Sequence, residues 1–206
     1  MFYPGPQLRP QGISRPMEIL VFFGMIASGK STLAEAFARR RGMLYLNTDR
    51  VRKELAGIAA TERRPDKHGQ GIYSREYTEK TYQTMLDAAV QEVQQGNGVV
   101  LDGSYSSRNE RARVLECGKS YRAKVCFILC HCSEEETRRR LELRARDPQA
   151  VSDGRWDIYL KQKETFEQPD ELTPAQLLIL DTEGELNELL STVGGWIEKS
   201  SQIPNP

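Results

Sequence analysis

One stretch near the start of the chain limits most strongly what the sequence can fold into. Residues 18–31 read EILVFFGMIASGKS, in which an apolar run from Ile19 to Phe23 is followed by the pattern Gly-x-x-x-x-Gly-Lys-Ser. A short apolar run that stops at a glycine predicts a strand buried on both faces, as in a parallel sheet. The pattern after it is typical of a phosphate-binding loop that opens a helix. The stretch therefore predicts a strand, a loop and a helix arranged around a bound phosphate group.

The residue types of this loop suit that chemistry. Glycines let the backbone turn tightly and bring its N–H groups onto phosphate oxygens, and the helix start adds a positive partial charge. Lys30 can place its ammonium group on the β- and γ-phosphates, and the Ser31 hydroxyl is a hard oxygen ligand for Mg²⁺. An ordinary glycine-rich turn is the alternative, which a strand before the loop and a helix after it disfavour. The predicted nucleotide contacts from the loop are Gly24, Ala27, Ser28, Gly29, Lys30, Ser31 and Thr32.

Length and charge narrow the classes of function. The 206 residues suit one domain of ordinary size, and the 29 basic and 29 acidic residues cancel, which argues against a polyanion-binding surface over the whole protein. No run approaches the length of a membrane span and nothing resembles a signal peptide, so we expect a cytoplasmic protein. The expected organisation is a flexible, proline-rich arm (1–16), one domain (17–200) and a frayed C-terminus (201–206).

Five strand-like runs alternate with helical patterns, which predicts a three-layer α/β domain with a parallel sheet. The predicted strands are Ile19–Phe23, Met43–Asn47, Val99–Gly103, Ala123–Cys132 and Gln176–Leu180. The predicted helix caps are Thr48 or Asp49 after the second strand, Ser74, and Ser133 after the fourth strand. The turn-rich residues 147–154 are predicted to form a flexible lid tip. Three of the four cysteines fall in the fourth run at a spacing that fits no metal motif. We therefore expect reduced thiols in the core rather than a zinc site.

Acidic residues follow two of these strands. Because ligands collect at the carboxyl ends of strands in open α/β sheets, Asp49 is placed to face the pocket, with helix capping as an alternative role. Asp102 is a candidate carboxylate near Mg²⁺, together with Ser31. Arg52 is a candidate for binding an anionic substrate, or is simply solvated. Arg108 is a candidate for holding substrate, with a charged helix surface as the alternative.

The helix after the fourth strand carries a run of arginines. Residues 134–136 are glutamates that lie four positions before the arginines at 138–140, which predicts three surface ion pairs. These ion pairs do not account for the presence of Arg144. They are also a weaker explanation for Arg140, which lies on the same face of the helix as Arg144. A guanidinium group matches the oxygens of a phosphoryl group, so Arg144 is the candidate clamp during phosphoryl transfer.

Several stretches together resemble the small P-loop kinases of the AAA type, in the zeta toxin and gluconate kinase-like group. Within it, the chain is similar to a kinase family whose members are sometimes fused to aminoglycoside phosphotransferase-like domains. The resemblance covers about residues 19–185. The matching stretches are GMIASGKST (24–32), LNTDRVRKELAG (46–57), GIYS (71–74), VLDGSY (100–105), RLELR (140–144) and SD (152–153).

The resemblance implies an ATP- and Mg²⁺-dependent phosphotransferase with sheet order 2-3-1-4-5 and a helical lid. Asp49 matches the acid after strand 2 that serves as base or substrate anchor in related kinases, and Arg52 matches the accompanying substrate arginine. Lid arginines and residues bordering adenine match as well, namely Arg140, Arg144, Asp181 and Thr182. Residues 57–73 match no small-molecule kinase pattern, so the acceptor stays open.

Three functions remain open from the sequence. The first is a kinase that moves the γ-phosphoryl group of ATP to a hydroxyl of a small molecule. We expect it to be a monomer or homodimer that does not associate with a membrane. The second is a nucleotide-binding switch or accessory module without its own acceptor. The third is a polynucleotide hydroxyl kinase, which the neutral total charge and the shortage of aromatic residues disfavour. Its basic groove would need Arg50, Arg52, Lys53, Arg63, Arg64 and Lys67.

Overall fold

The computed structural model of the protein describes residues 17–59, 71–147 and 155–200. Four predictions made from the sequence concern other parts of the chain. The N-terminal arm (1–16) and the C-terminal end (201–206) lie outside the described residues. So does most of the segment 57–73, and so does most of the predicted lid tip at 147–154.

A parallel sheet of five strands forms the centre of the described structure, in the order β2-β3-β1-β4-β5. The predicted strand order is confirmed, and each strand begins and ends within one residue of its predicted bounds. The central strand β1 pairs with β3 on one side and β4 on the other, with Val21 opposite Leu101 and Phe127. The strands are β1 (Glu18–Phe23), β2 (Leu44–Asn47), β3 (Val99–Asp102), β4 (Lys124–His131) and β5 (Leu177–Asp181).

Helices cover both faces of the sheet, and most begin where the sequence offers a cap. Ser74 and Ser133 cap the third and fifth helices through their hydroxyl groups, as predicted. Among the described residues, no helix combines the length and the apolar character needed to cross a membrane. The helices are α1 (Lys30–Arg41), α2 (Thr48–Leu55), α3 (Arg75–Gln94), α4 (Arg108–Tyr121), α5 (Glu134–Arg146), α6 (Trp156–Thr165) and α7 (Leu186–Ser200).

The prediction that Thr48 or Asp49 caps the second helix is wrong. Asn47 is the cap, because its side-chain oxygen accepts a hydrogen bond from the backbone N–H of Arg50 at 3.1 Å. Asparagine one residue earlier offers the same acceptor and is as good a cap as aspartate. The helix therefore begins at Thr48, and Asp49 lies in its first turn with its carboxylate not needed for capping.

The core has two layers, one on each face of β1. Alternate residues of a strand point to opposite faces, so Ile19, Val21 and Phe23 pack in one cluster, while Leu20 and Phe22 pack in the other. The second cluster also contains the buried thiols of Cys126 and Cys130. Burial raises the pKa of these thiols to about 11 and about 12, so both stay protonated at neutral pH.

A third, smaller apolar cluster lies over the carboxyl ends of the strands. It joins Ile26 and Ala27, which follow β1, to Leu141 of α5 and Tyr159 of α6. Helices α5 and α6 therefore pack directly on the loop between β1 and α1. This contact brings the two predicted lid helices to the edge of the sheet where the candidate site lies.

Candidate active site

A cavity of ≈ 680 Å³ lies at the carboxyl ends of the strands. Its walls come from the start of α1, from β2 and α2, and from the lid helices α5 and α6. The structure thus brings together the phosphate loop (residues 24–31), the acid after β2 and the lid arginine. The predicted site residues that line the cavity are Lys30, Ser31, Thr32, Asp49, Arg52 and Arg144.

Two glycines of the phosphate loop meet backbone requirements that other residues could not. Gly24 and Gly29 have φ angles of 134° and 81°, in the region that L side chains rarely adopt. A Cβ atom on Gly24 would collide with the carbonyl oxygen of Cys130, and one on Gly29 would lie 2.8 Å from Thr182 Oγ1. The loop is therefore pressed against β4 and against the segment after β5.

Arg140 and Thr182 hold this loop from outside the cavity. The Thr182 hydroxyl donates to the carbonyl oxygen of Ser28 at 2.7 Å. Arg140 donates through Nη1 to the carbonyl oxygen of Ala27 at 3.2 Å and through Nη2 to that of Thr182 at 2.8 Å. Glu136 fixes the same guanidinium group through an ion pair of 2.6 Å. Neither Arg140 nor Thr182, both predicted to contact nucleotide, lines the cavity; they brace the loop that does.

Asp102 lies close enough to Lys30 to act on the pKa of the lysine. Burial lowers the pKa of Lys30, and the Asp102 carboxylate opposes this effect. The Lys30 ammonium group donates to the carbonyl oxygen of Met25 at 3.2 Å. Asp102 is fully buried, and its Oδ2 accepts hydrogen bonds from Tyr45 and Asn47, each at 2.6 Å. Two donors on one oxygen fix the carboxylate at the end of β3.

The oxygens present fit the predicted Mg²⁺. Asp102 Oδ1 is buried and has no hydrogen-bond partner among the described residues, and the Ser31 side chain lies in the cavity wall. Both are hard oxygen donors, the ligand type that Mg²⁺ takes. Asp102 does not itself line the cavity, but Tyr45 and Asn47, which hold it, do.

On the opposite side of the cavity, α2 presents charged side chains in pairs. Asp49 pairs with Arg52 at 3.2 Å, and the buried Arg52 guanidinium lies over the ring of Tyr73. Arg52 Nε has no hydrogen-bond partner among the described residues. Arg50 pairs with Glu35 at 3.2 Å. Carboxylates therefore balance both arginines of α2. Lys53, also proposed for a nucleic-acid groove, is buried in α2. The remaining residues proposed for that groove, Arg63, Arg64 and Lys67, lie outside the described residues.

Two further predicted site residues, Arg108 and Asp181, lie away from both the cavity lining and the phosphate loop. Arg108 is the first residue of α4, and its exposed guanidinium pairs with Asp170 at 3.8 Å and Glu171 at 3.6 Å. Asp181 is exposed at the end of β5 and accepts a hydrogen bond from the backbone N–H of Glu183 at 2.9 Å. The Arg108 contacts follow from the position of α4, whose first turn faces the chain that leaves α6.

The predicted ion pairs on α5 are only partly present. The pair between Glu136 and Arg140 is confirmed. Glu134, however, pairs with Lys163 of α6 at 2.8 Å. Helix α6 packs against this part of α5 and supplies a lysine, so a tertiary partner replaces the local one.

No pattern in the sequence indicates Gln162, which the structure brings to the phosphate loop. Its Oε1 accepts a hydrogen bond from the backbone N–H of Ile26 at 2.7 Å, and its side chain lines the cavity. A lone glutamine in a charged helix belongs to no motif, so the sequence does not single it out. Tyr45 and Asn47 could have been predicted to act together, because polar residues at i and i+2 at the end of a strand share one face.

These features define the fold. A parallel sheet in the order 2-3-1-4-5, with a phosphate loop after β1 and helices on both faces, is the architecture of the P-loop NTPase fold, which confirms the predicted fold class. The sequence matches the profile of an AAA domain family over residues 19–169. The chain belongs to that family.

A comparison with curated proteins gives a partial match. The chain is 28% identical over 122 residues to an uncharacterized protein of Mycobacterium tuberculosis; the match covers 59% of this chain and 24% of that protein. The chain thus spans about a quarter of the length of the curated relative it matches. The expectation that related kinases are sometimes fused to aminoglycoside phosphotransferase-like domains stays a prediction.

Two solved structures show the same fold at low identity. A gluconokinase from Sinorhizobium meliloti superposes with a TM-score of 0.62 at 20% identity, over 91% of this chain and 95% of that one. The APS kinase of Mycobacterium tuberculosis, solved in complex with AMPPNP and APS, gives 0.61 at 17% identity, over 89% and 98%. At this identity the likeness establishes the fold and not the substrate.

Proposed function

We propose that this protein is an ATP- and Mg²⁺-dependent phosphotransferase that moves the γ-phosphoryl group of ATP to a hydroxyl group of a small molecule. One observation carries the proposal. A single cavity is lined by Lys30 and Ser31 of the phosphate loop, by Asp49 across from them, and by Arg144 of the lid. These are an electropositive phosphate site, a carboxylate for the acceptor and a cation for the transferred group in one enclosed space.

Each residue has a distinct role in the proposed reaction. The acceptor oxygen forms a bond to the γ-phosphorus, the bond from that phosphorus to the β,γ-bridging oxygen breaks, and ADP leaves. Asp49 orients the acceptor hydroxyl and takes its proton. Lys30 and Arg144 balance the charge on the phosphate oxygens as the group moves. Ser31 and Asp102 would hold Mg²⁺, which would supply further neutralisation of phosphate charge.

Size and charge favour a small-molecule acceptor. The cavity volume lies within the usual range for small-ligand sites, roughly 300–1,000 Å³. A nucleic-acid groove would need uncompensated basic residues beside Asp49, yet Arg50 and Arg52 are both paired with carboxylates. The structural neighbours, a gluconokinase and a kinase bound to AMPPNP and APS, give the same preference.

The test is ADP release from ATP and Mg²⁺ in the presence of sugars, nucleosides, amino sugars and aminoglycosides. We expect at least one acceptor to stimulate release well above slow hydrolysis. The variant Asp49→Asn should then lose transfer by about a thousandfold, as expected for removal of a general base, and keep its ATP affinity within about twofold. Asp87→Asn, an exposed aspartate of α3 away from the cavity, is the matched control.

Two results would contradict this account. Equal transfer by Asp49→Asn and the unchanged protein would remove Asp49 from the mechanism. ATP binding with slow hydrolysis that no acceptor stimulates would favour the nucleotide-binding module without its own acceptor.

A further inference from the structure

One peptide group of the phosphate loop is held at both ends. The carbonyl oxygen of Met25 accepts a hydrogen bond from Lys30 Nζ at 3.2 Å. The N–H of the same peptide group, which belongs to Ile26, donates to Gln162 Oε1 at 2.7 Å. A lysine of the loop and a glutamine of α6, 136 positions from Ile26, therefore fix one peptide plane from opposite sides.

This hydrogen bond also fixes which way the Gln162 carboxamide faces. The Ile26 N–H is a donor, so only the carbonyl oxygen of Gln162 can face it, and the Nε2 group must face elsewhere. Among the described residues, the Gln162 side chain makes only this one hydrogen bond. Its side chain lines the cavity, so its two N–H donors are available to an oxygen-rich ligand there.

The position of α6 keeps this arrangement in place. The apolar cluster of Ile26, Ala27, Leu141 and Tyr159 joins the loop to α5 and α6 next to the Gln162 contact. The glutamine is thus presented by a packed helix against the same peptide group that Lys30 holds. Because the P-loop lysine reaches the β- and γ-phosphates, a nucleotide held by Lys30 would place these phosphates near Gln162.

We propose that Gln162 binds the terminal phosphoryl group of the nucleotide, with its Oε1 on the Ile26 N–H and its Nε2 on a γ-phosphate oxygen, and so lets the lid distinguish a triphosphate from a diphosphate. The proposal rests on the proposed function of the same cavity. Glutamine suits this position because it accepts and donates at once. Lysine and arginine have no acceptor for the loop, and an ionised glutamate has no donor for the phosphate.

Two substitutions separate this role from a purely structural one. Gln162→Ala removes both contacts, whereas Gln162→Glu keeps the acceptor for Ile26 and replaces the donor by a negative charge. We would titrate Mg²⁺ with AMPPNP, and Mg²⁺ with ADP, into each variant by calorimetry, after thermal unfolding has confirmed that each is folded. We expect AMPPNP affinity to fall about tenfold in Gln162→Ala and further in Gln162→Glu, with ADP affinity within about twofold. Lys161→Ala, an exposed neighbour on α6, should change neither.

The AMPPNP and ADP affinities of the two variants, compared with those of the unchanged protein, decide the outcome. If Gln162 only anchors the loop, the glutamate variant binds both nucleotides like the unchanged protein, and the alanine variant weakens both equally. Either result would overturn the proposal, as would unchanged AMPPNP affinity in both variants. Failure of the unchanged protein to bind either nucleotide would instead overturn the proposed function itself.

Discussion

The middle and the last turn of α5 carry two arginines that the sequence places on one face of the helix, yet their surroundings differ. Arg140, in the middle, has its guanidinium occupied by Glu136, by the carbonyl oxygen of Ala27 and by Thr182. Arg144, one turn later, lines the cavity. Two residues of the same type are therefore placed differently: Arg140 lies against the phosphate loop, and Arg144 lies at the cavity where we propose that the ligand binds.

Electrostatics supports the same division. Burial, and then the neighbouring Arg140 cation, lowers the pKa of Arg144, while Asp49 and Asp102 oppose these effects. A half-buried cation beside another cation is stabilised by a bound anion. A phosphoryl group in the cavity would provide that anion for Arg144.

The largest effect on this comparison should come from Arg144→Ala. We expect the rate of phosphoryl transfer to fall by about a hundred- to a thousandfold, as when one preorganised charge-stabilising donor is removed, with a much smaller loss of ADP affinity. Single-turnover transfer and ADP titration would measure the two quantities. Arg146→Ala, an exposed arginine of the same turn, is the control. An equal loss of ADP affinity and of rate would mean that Arg144 shapes the site as Arg140 does.

Arg140→Ala should produce a smaller and different change. It removes two hydrogen bonds to backbone carbonyls that hold the loop, so we expect ADP and AMPPNP affinities to fall together by about tenfold and the thermal midpoint to drop by a few degrees. Arg139→Ala is a close control, because Arg139 also pairs with Glu136 but is exposed and does not reach the loop. If both variants lose the same affinity, the loop does not depend on Arg140.

The smallest effect should be on acid stability, through Glu136. Hydrogen bonds from Arg139, and then from Arg140, lower the pKa of Glu136 from its ordinary 4.5 to about 2. A lowered pKa gives stability that is present above about pH 4.5 and is lost as the pH falls towards 2. Glu136→Gln should therefore show a slightly flatter decline of the free energy of unfolding across that range in denaturant titrations. Glu135→Gln, an exposed neighbour, should decline like the unchanged protein; a matching decline in Glu136→Gln would remove the carboxylate from this role.

Most of the fold follows from local sequence, because apolar runs and the glycine pattern act over a few residues. The run Ile19–Phe23 and the glycines after it fix β1 and the loop, and alternation with helices fixes a parallel sheet. Two nearby errors show the limit of such reasoning. Asp49 and Asn47 have equal preference for the N-cap position, so only the residue at which α2 begins decides between them. Glu134 pairs with Lys163 of α6 rather than with Arg138, its predicted partner on the same helix.

The candidate site was less predictable because several of its contacts join distant parts of the chain. Thr182 supports Ser28 from 154 positions away, and Gln162 reaches Ile26 from 136. No local pattern encodes such contacts. Arg108 shows the opposite case, since its place near a strand end suggested substrate binding, but α4 turns it towards Asp170 and Glu171. The phosphate loop was predictable from its motif. The contacts by which Arg140, Thr182 and Gln162 hold that loop were not.

Calorimetric titration of ATP with Mg²⁺ into the purified protein tests the central claim most directly. The account predicts saturable binding at micromolar to submillimolar nucleotide, weakened when Mg²⁺ is chelated and lost in Lys30→Ala. A folded protein that takes up no ATP with Mg²⁺ at millimolar concentration, or that binds it equally well without Lys30, would contradict the account.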